Sequence, residues 1–153
     1  MITLFNVVSA DGFIAREDGS EDFISDDLWP GFLDVCNGYD AIVMGRKTYE
    51  AIQGYDQELI DSFENLTIKK LVLTNNKDFK VKEGYTISHS PEEVVNISPN
   101  VLVTSGPTLN NYLLSKGLVN KIILHRLAVS IGEGIKPFDS LNGVEVEEHQ
   151  ITV

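Results

Sequence analysis

The chain has 153 residues, 42% of them hydrophobic and 23% charged, which is enough to bury a core in one domain without disulfide or metal staples. Its net charge of -11 argues against nucleic acid or an anionic membrane surface as a partner, because Lys and Arg neutralising phosphate supply most of that affinity. Cys36 is the single cysteine, so no internal disulfide is possible and a reducing cytoplasm is the expected location. The N-terminus lacks a basic n-region, and no apolar run approaches the roughly 20 residues that span a bilayer. The expected protein is neither secreted nor membrane-embedded.

In chain order, Ile2–Val8 is apolar and rich in β-branched residues and ends at Ser9-Ala10-Asp11-Gly12, which predicts a buried strand entering a turn. An acidic loop follows, in which Asp11, Glu21 and Asp22 read as solvation. Ser25-Asp26-Asp27 then offers caps to a helix carrying Leu28, Phe32, Leu33 and Val35, with Pro30 tolerable in its first turn and Gly38 ending it. Ala41-Ile42-Val43-Met44 predicts a short buried strand that turns at Gly45 into a helix over 47 to about 52. Further strands are predicted over 70–74, 85–88 and 100–104, and a helix over 107–114 stopped by Gly117. Strands alternating with helices predict a largely parallel α/β sheet. Residues 121–129 and 144–153 read as two long strands joined by a Gly/Pro-containing connection, which predicts an antiparallel edge. Neither repeats nor a linker interrupt the chain, so residues 1–153 are expected to form one domain.

Three strand-to-helix junctions carry the chemistry. At Gly45-Arg46-Lys47-Thr48 a helix N-terminus would present free N–H groups and its dipole to a phosphate, with added charge and a hydroxyl. A plain structural turn explains that junction equally well, and the segment is neither a P-loop nor a G-x-G-x-x-G fingerprint. Leu73-Thr74-Asn75 ends a strand where open α/β sheets bind ligands; Thr74 and Asn75 could donate to a ribose 2′-phosphate that Lys77 neutralises, or form only a polar turn. At Ser105-Gly106-Pro107-Thr108-Leu109, Gly106 permits close approach of a ligand and Pro107 suits the first helical position. Together the three would line one dinucleotide-sized groove. Seven of the 12 cationic residues (Arg46, Lys47, Lys69, Lys70, Lys77, Lys80 and Lys82) fall between 46 and 82, an island in an otherwise acidic chain. His89 and His149 stand apart in sequence and form no zinc-ligand spacing with Cys36, and no zinc-deaminase motif is present.

Taken in order, these segments resemble the dihydrofolate-reductase-like superfamily, and especially the reductase domain of the bifunctional riboflavin-pathway deaminase-reductases. The resemblance rests on Ser9-Ala10-Asp11-Gly12-Phe13-Ile14-Ala15, on Asp40-Ala41-Ile42-Val43-Met44-Gly45-Arg46-Lys47-Thr48, and on Ser105-Gly106-Pro107-Thr108-Leu109. Leu113-Leu114, Gly117-Leu118-Val119, Ile131-Gly132-Glu133-Gly134 and Pro137-Phe138 continue it, so that it spans nearly the whole chain. It implies a three-layer fold with helices on both faces of a mixed, mostly parallel sheet. It also implies hydride transfer from NADPH to a small pterin-like or pyrimidine-derived heterocycle, and a homodimer touching through the tail strands. Gly45, Arg46, Lys47 and Thr48 would contact the pyrophosphate, Leu73, Thr74, Asn75 and Lys77 the adenosine phosphate region, and Ser105 to Leu109 the nicotinamide side. Ile14 and Ala15 would border the nicotinamide, whose chemistry the protein orients.

In folate-reducing members a carboxylate at the start of the first helix grips the pterin, and Asp27 is the match, with Asp26 next. As residues, both are also good helix starters without chemistry. The sequence departs from authentic dihydrofolate reductases at Ser105-Gly106 in place of paired glycines and at His125 in place of a threonine. It also lacks a tail-binding arginine, Ile68 or Lys69 being nearest. His125 is either a proton donor or a satisfied sheet histidine. The alternatives to a reductase of open substrate are an authentic dihydrofolate reductase, an NADP-binding module without catalysis and, more remotely, phosphoryl transfer.

Overall fold

The computed structural model describes residues 1–152; Val153, the end of the expected final strand, lies outside the described residues. Strands β1 (Ile2–Val8), β2 (Ala41–Gly45), β3 (Lys69–Leu73), β4 (Thr86–Ser88), β5 (Val101–Thr104), β6 (Lys121–Leu127) and β7 (Val146–Ile151) form one sheet in the order β4-β3-β2-β5-β1-β6-β7. Helices α1 (Trp29–Cys36), α2 (Arg46–Gln53), α3 (Gln57–Glu64) and α4 (Pro107–Ser115) complete an α/β fold. Among the described residues, no helix is long and apolar enough to cross a membrane. The chain divides into two compact units, Met1 with Trp29–Thr104, and Ile2–Leu28 with Ser105–Val153.

In the first unit β2 pairs with β3 and β5, and β3 with β4, all parallel. Ala41, Ile42, Val43 and Met44 are all buried, as are Val101, Leu102 and Val103. A strand buried at consecutive positions is covered on both faces, the condition under which parallel sheets occur. Phe63 of α3 is fully buried and stacks against Phe32 at 5.8 Å, while the Trp29 indole donates to the Leu59 carbonyl at 3.0 Å and to Ser62 Oγ at 2.9 Å. These contacts tie α1 to α3. The sequence reading passed over α3, a short helix between two loops. Lys70 also belongs to this core: its ammonium donates to the carbonyls of Leu66 and Ile68 at 2.7 and 3.1 Å, and burial pushes its pKa down.

In the second unit β1 pairs with β6 and β6 with β7, again parallel. The expected antiparallel edge is therefore corrected: Ile122 lies beside Val146 and Leu127 beside Ile151. Residues 128–145 are a long crossover rather than a hairpin, which returns the chain to the starting end of β6 as parallel neighbours require. There the Ile122 N–H donates to the Glu145 carbonyl at 2.9 Å. β1 is almost wholly buried and β7 is largely exposed, the pattern of an inner strand and an edge.

Candidate functional site

In the first unit three strands end in register. Gly45 pairs with Leu73 across β2 and β3, and Met44 with Thr104 across β2 and β5. α2 starts directly after Gly45, and no side chain caps its first turn. Its first two residues are Arg46 and Lys47, and no acidic residue shares that turn. Cations at the positive end of a helix oppose its dipole by about 0.3–1 kcal/mol each, an arrangement that a bound anion would reverse. Arg46 is held over the Phe79 ring at 4.9 Å and bonds Glu50 at 3.3 Å; both residues of that pair are exposed, so the guanidinium is free to turn to a ligand. Lys47 is exposed and Thr48 half-buried.

Leu73 leads into Thr74-Asn75, where the Thr74 N–H donates to the Ser88 carbonyl at 3.0 Å and Thr74 Oγ1 accepts from the Asn76 N–H at 3.2 Å. Sequence reasoning set His89 aside, yet its Nδ1 donates to the Thr74 carbonyl at 2.8 Å. That bond puts a proton on Nδ1 and leaves Nε2 outside it. The basic island is smaller than its count suggested. Lys70 is spent in the core, and Lys82 bonds Glu64 at 2.8 Å. Arg46, Lys47, Lys69, Lys77 and Lys80 remain exposed.

In the second unit, the turn Ser105-Gly106 opens α4 with Pro107 at its start and no side-chain cap. Its backbone is set from below by two buried asparagines that the sequence reading did not single out. Asn6 Nδ2 donates to the Ser105 carbonyl at 2.9 Å, and Asn110 Nδ2 donates to Asn6 Oδ1 at 3.1 Å and to the Pro137 carbonyl at 2.9 Å. An amide side chain inside an apolar strand or helix was the available signal. A Cβ added at Gly106 would meet nothing within 4 Å, so the turn faces open space. Thr108 is exposed, whereas Leu109 is a buried core residue at 7% exposure, so any ligand would reach it through backbone alone.

The loop bearing Ile14 and Ala15 is strapped down. Ile14 donates to the Ile135 carbonyl at 2.8 Å, and Ile135 to the Ala15 carbonyl at 2.9 Å. Asp11 is no solvating residue: it accepts from Ser9 Oγ at 2.6 Å and from the Gly132 N–H at 2.7 Å, and these bonds lower its pKa to about 2. Asp22 likewise bonds Arg16 at 2.6 Å. Ile14 is half-buried and Ala15 buried.

The same unit holds an open cleft of about 410 Å³ lined by Phe23, Ser25, Leu28, Leu127, Ala128 and Val129. Asp26 and Asp27 sit in a 3-10 turn between two of these, exposed, and the Asp27 N–H donates to Ser25 Oγ at 3.2 Å. His125 lies two residues before Leu127 on the same face of β6. It packs edge-on to Phe5 at 4.9 Å and to His149 at 5.4 Å, and burial, then the His149 charge, lowers its pKa. Among the described residues no group of three or more His, Cys, Asp or Glu side chains could hold a metal ion.

No family model matches the chain. It is 26% identical over 147 residues to the uncharacterized protein YwjB of Bacillus subtilis (strain 168), covering 90% of this chain and 82% of that protein. Among solved structures, a protein named for riboflavin biosynthesis from Shewanella sp. PV-4 superposes with TM-score 0.67 at 20% identity, over 93% of this chain and 85% of that one. The dihydrofolate reductase of Enterococcus faecalis, complexed with NADP(H) and RAB-propyl, does so with TM-score 0.65 at 17% identity, over 90% and 76%. A diaminohydroxyphosphoribosylaminopyrimidine deaminase/5-amino-6-(5-phosphoribosylamino)uracil reductase of Thermotoga maritima gives TM-score 0.63 at 15% identity; 94% of this chain aligns with 48% of that one, so this chain spans about half of it. The chain has the dihydrofolate-reductase-like fold.

Proposed function

We propose that the protein is an NADPH-dependent reductase of a small heterocycle. The observation that carries this reading is the end of β2. Gly45 opens an uncapped helix whose first turn holds Arg46 and Lys47, and its strand partner Leu73 leads directly to Thr74 and Asn75. The residues fit a phosphorylated dinucleotide. The α2 N-terminus with Arg46, Lys47 and Thr48 would hold the pyrophosphate, and Thr74, Asn75 and Lys77 the adenosine phosphate, with His89 beside them. The uncapped Ser105-Gly106 turn and the strapped loop carrying Ile14 and Ala15 would border the nicotinamide, which when bound supplies the hydride.

The cleft beside Asp27 would receive the heterocycle. Asp27 would hold its ring nitrogens and support protonation, with Asp26 and His125 as the other candidate donors. The solved neighbours with reductase names support an oxidoreductase at this coarse level. A reducing cytoplasm suits the buried Cys36 thiol, whose pKa burial pushes up to about 12. The exposed edge of β7 is the surface on which the expected homodimer would form.

The test is loss of NADPH absorbance in the presence of dihydropterin and ribosylaminopyrimidine substrates, in the native protein and in Asp27→Asn. The expected result is turnover that the variant loses while still binding NADPH; an unchanged rate moves the role away from Asp27. One observation favours a second reading, an NADP-binding module without turnover: Asp27 lies exposed rather than sunk in the cleft wall. That module would bind NADPH and reduce no member of the panel. An authentic dihydrofolate reductase would show its highest turnover on dihydrofolate.

A further inference from the structure

Arg46 leaves β2 with its guanidinium over the ring of Phe79, Cζ lying 4.9 Å from the ring centre. Only Nε is spent elsewhere, donating to Glu50 at 3.3 Å, and among the described residues the two Nη groups have no partner. A guanidinium held by its face keeps N–H groups with which to grip a phosphate bidentately. An exposed i,i+4 ion pair of this length holds little, so the ring is the stronger grip. The ring is itself fixed. The Phe79 N–H donates to the Asn76 carbonyl at 3.2 Å and the Asp78 N–H to Asn76 Oδ1 at 2.9 Å, closing a turn that presents Phe79. Phe79 then meets Tyr49 of α2 edge-on at 5.8 Å. The Tyr49 hydroxyl accepts from the Lys82 N–H at 3.0 Å. Its ring packs edge-on at 5.0 Å to that of Tyr85, whose hydroxyl donates to Glu64 of α3 at 2.8 Å.

These contacts clamp the loop after β3 onto α2 and α3, and Phe79 is the member of the loop that reaches Arg46. An arginine loose in solvent samples many rotamers and loses that freedom when it grips an anion; one already stacked on a fixed ring has less to lose. We infer that Phe79 is the positioning residue for Arg46: it holds the guanidinium before the anion arrives and leaves the Nη groups to bind it. Phe79 acts through Arg46 and does not touch the anion. It also ties Arg46 to the loop that starts at Thr74, Asn75 and Lys77, so the contacts proposed for the pyrophosphate and for the adenosine phosphate are mechanically joined. The inference rests on the cofactor reading only for the molecule to which the anion belongs.

Calorimetric titration of the full chain with inorganic pyrophosphate and, separately, with NADPH tests it in the native protein and in variants. Phe79→Leu should weaken pyrophosphate binding about two- to fivefold, the worth of an exposed cation-π contact. Phe79→Tyr, which keeps the ring face, should restore native affinity, and Glu50→Gln should not weaken it. The loss in Phe79→Leu should vanish when Arg46 is already Ala, because the effect passes through Arg46. The inference is overturned if Phe79→Leu binds pyrophosphate as the native protein does, or if Glu50→Gln costs as much. It is also overturned if Phe79→Leu costs the same in the Arg46→Ala background, the mark of a merely structural role. A measurement on the native protein stands apart from any folding defect of the variants: the Arg46 Nε–H proton should resonate upfield of its position in free arginine, as protons over a ring face do, and a free-arginine shift overturns the inference. Pyrophosphate binding with this pattern but no NADPH binding removes the cofactor reading and leaves the inference standing. NADPH turnover with native affinities in Phe79→Leu does the reverse, and if neither probe binds at millimolar concentration both fall.

Discussion

Asp11 Oδ2 accepts the backbone N–H of Gly132 at 2.7 Å, joining the loop after β1 to the start of the crossover between β6 and β7. The Ile131 N–H reaches the same carboxylate at 3.2 Å, and Ser9 Oγ donates to it at 2.6 Å. The bonds favour the ionised form, so the folded pKa is about 2 against an ordinary 3.8. A lowered carboxylate pKa contributes stability that is present above about 3.8 and is lost as pH falls through about 2. The Gly132 amide resonance, followed by NMR, should therefore hold steady from pH 7 to pH 4 and move with a midpoint near pH 2. A midpoint at or above 3.8 would show that the strap is absent in solution.

Gly134 lies two residues further along the same crossover, against the loop of Phe13 and Ala15. A Cβ there would collide with the Ala15 carbonyl oxygen and come within 3.0 Å of Phe13 Cβ and Ile131 Cδ1. Gly134→Ala should cost about 1–3 kcal/mol in urea unfolding, because backbone rather than a flexible side chain must give way. Stability equal to the native protein would mean that the loop relaxes freely.

Gly106→Ala separates folding from binding. Its φ of -86° is ordinary and its Cβ would meet open space, so stability should stay within about 0.5 kcal/mol of native. If the turn receives the nicotinamide, NADPH binding should weaken about tenfold or more. Unchanged affinity would remove Gly106 from the proposed cofactor contacts.

Asn110→Ala should destabilise by about 1–3 kcal/mol, because Asn6 Oδ1 and the Pro137 carbonyl lose buried donors. It should also loosen the Ser105 turn, visible as faster amide exchange at the start of α4. A change below 0.5 kcal/mol would show that water replaces the amide.

Much of this arrangement was legible in the sequence, and what escaped has physical reasons. Ile2–Val8 and Ala41–Gly45 announce themselves because a strand buried on both faces is apolar at nearly every position, Thr3 and Asn6 being the exceptions in the first. Gly45 and Ser105-Gly106 were readable as strand-to-helix turns. The direction of β7 was not, since alternation along a strand is the same whichever way it runs; the path of residues 128–145 decides it. Charge counting included Lys70 in the basic island because composition does not distinguish an ammonium facing water from one satisfied by the carbonyls of Leu66 and Ile68. The Asn6–Asn110 pair joins positions 104 apart, beyond any local pattern, and Asp11 looked like any loop carboxylate until Gly132 was found against it.

The central claim is that the α2 N-terminus binds a phosphorylated dinucleotide, and a fluorescence titration with NADPH and NADH of the native protein and of Arg46→Ala tests it most directly. The account predicts saturable NADPH binding that is tighter than NADH binding and is weakened about tenfold or more in Arg46→Ala, with the fold intact since Arg46 bonds only exposed Glu50 and stacks on Phe79. Absence of binding at high micromolar NADPH, or an affinity that Arg46→Ala leaves unchanged, would contradict it.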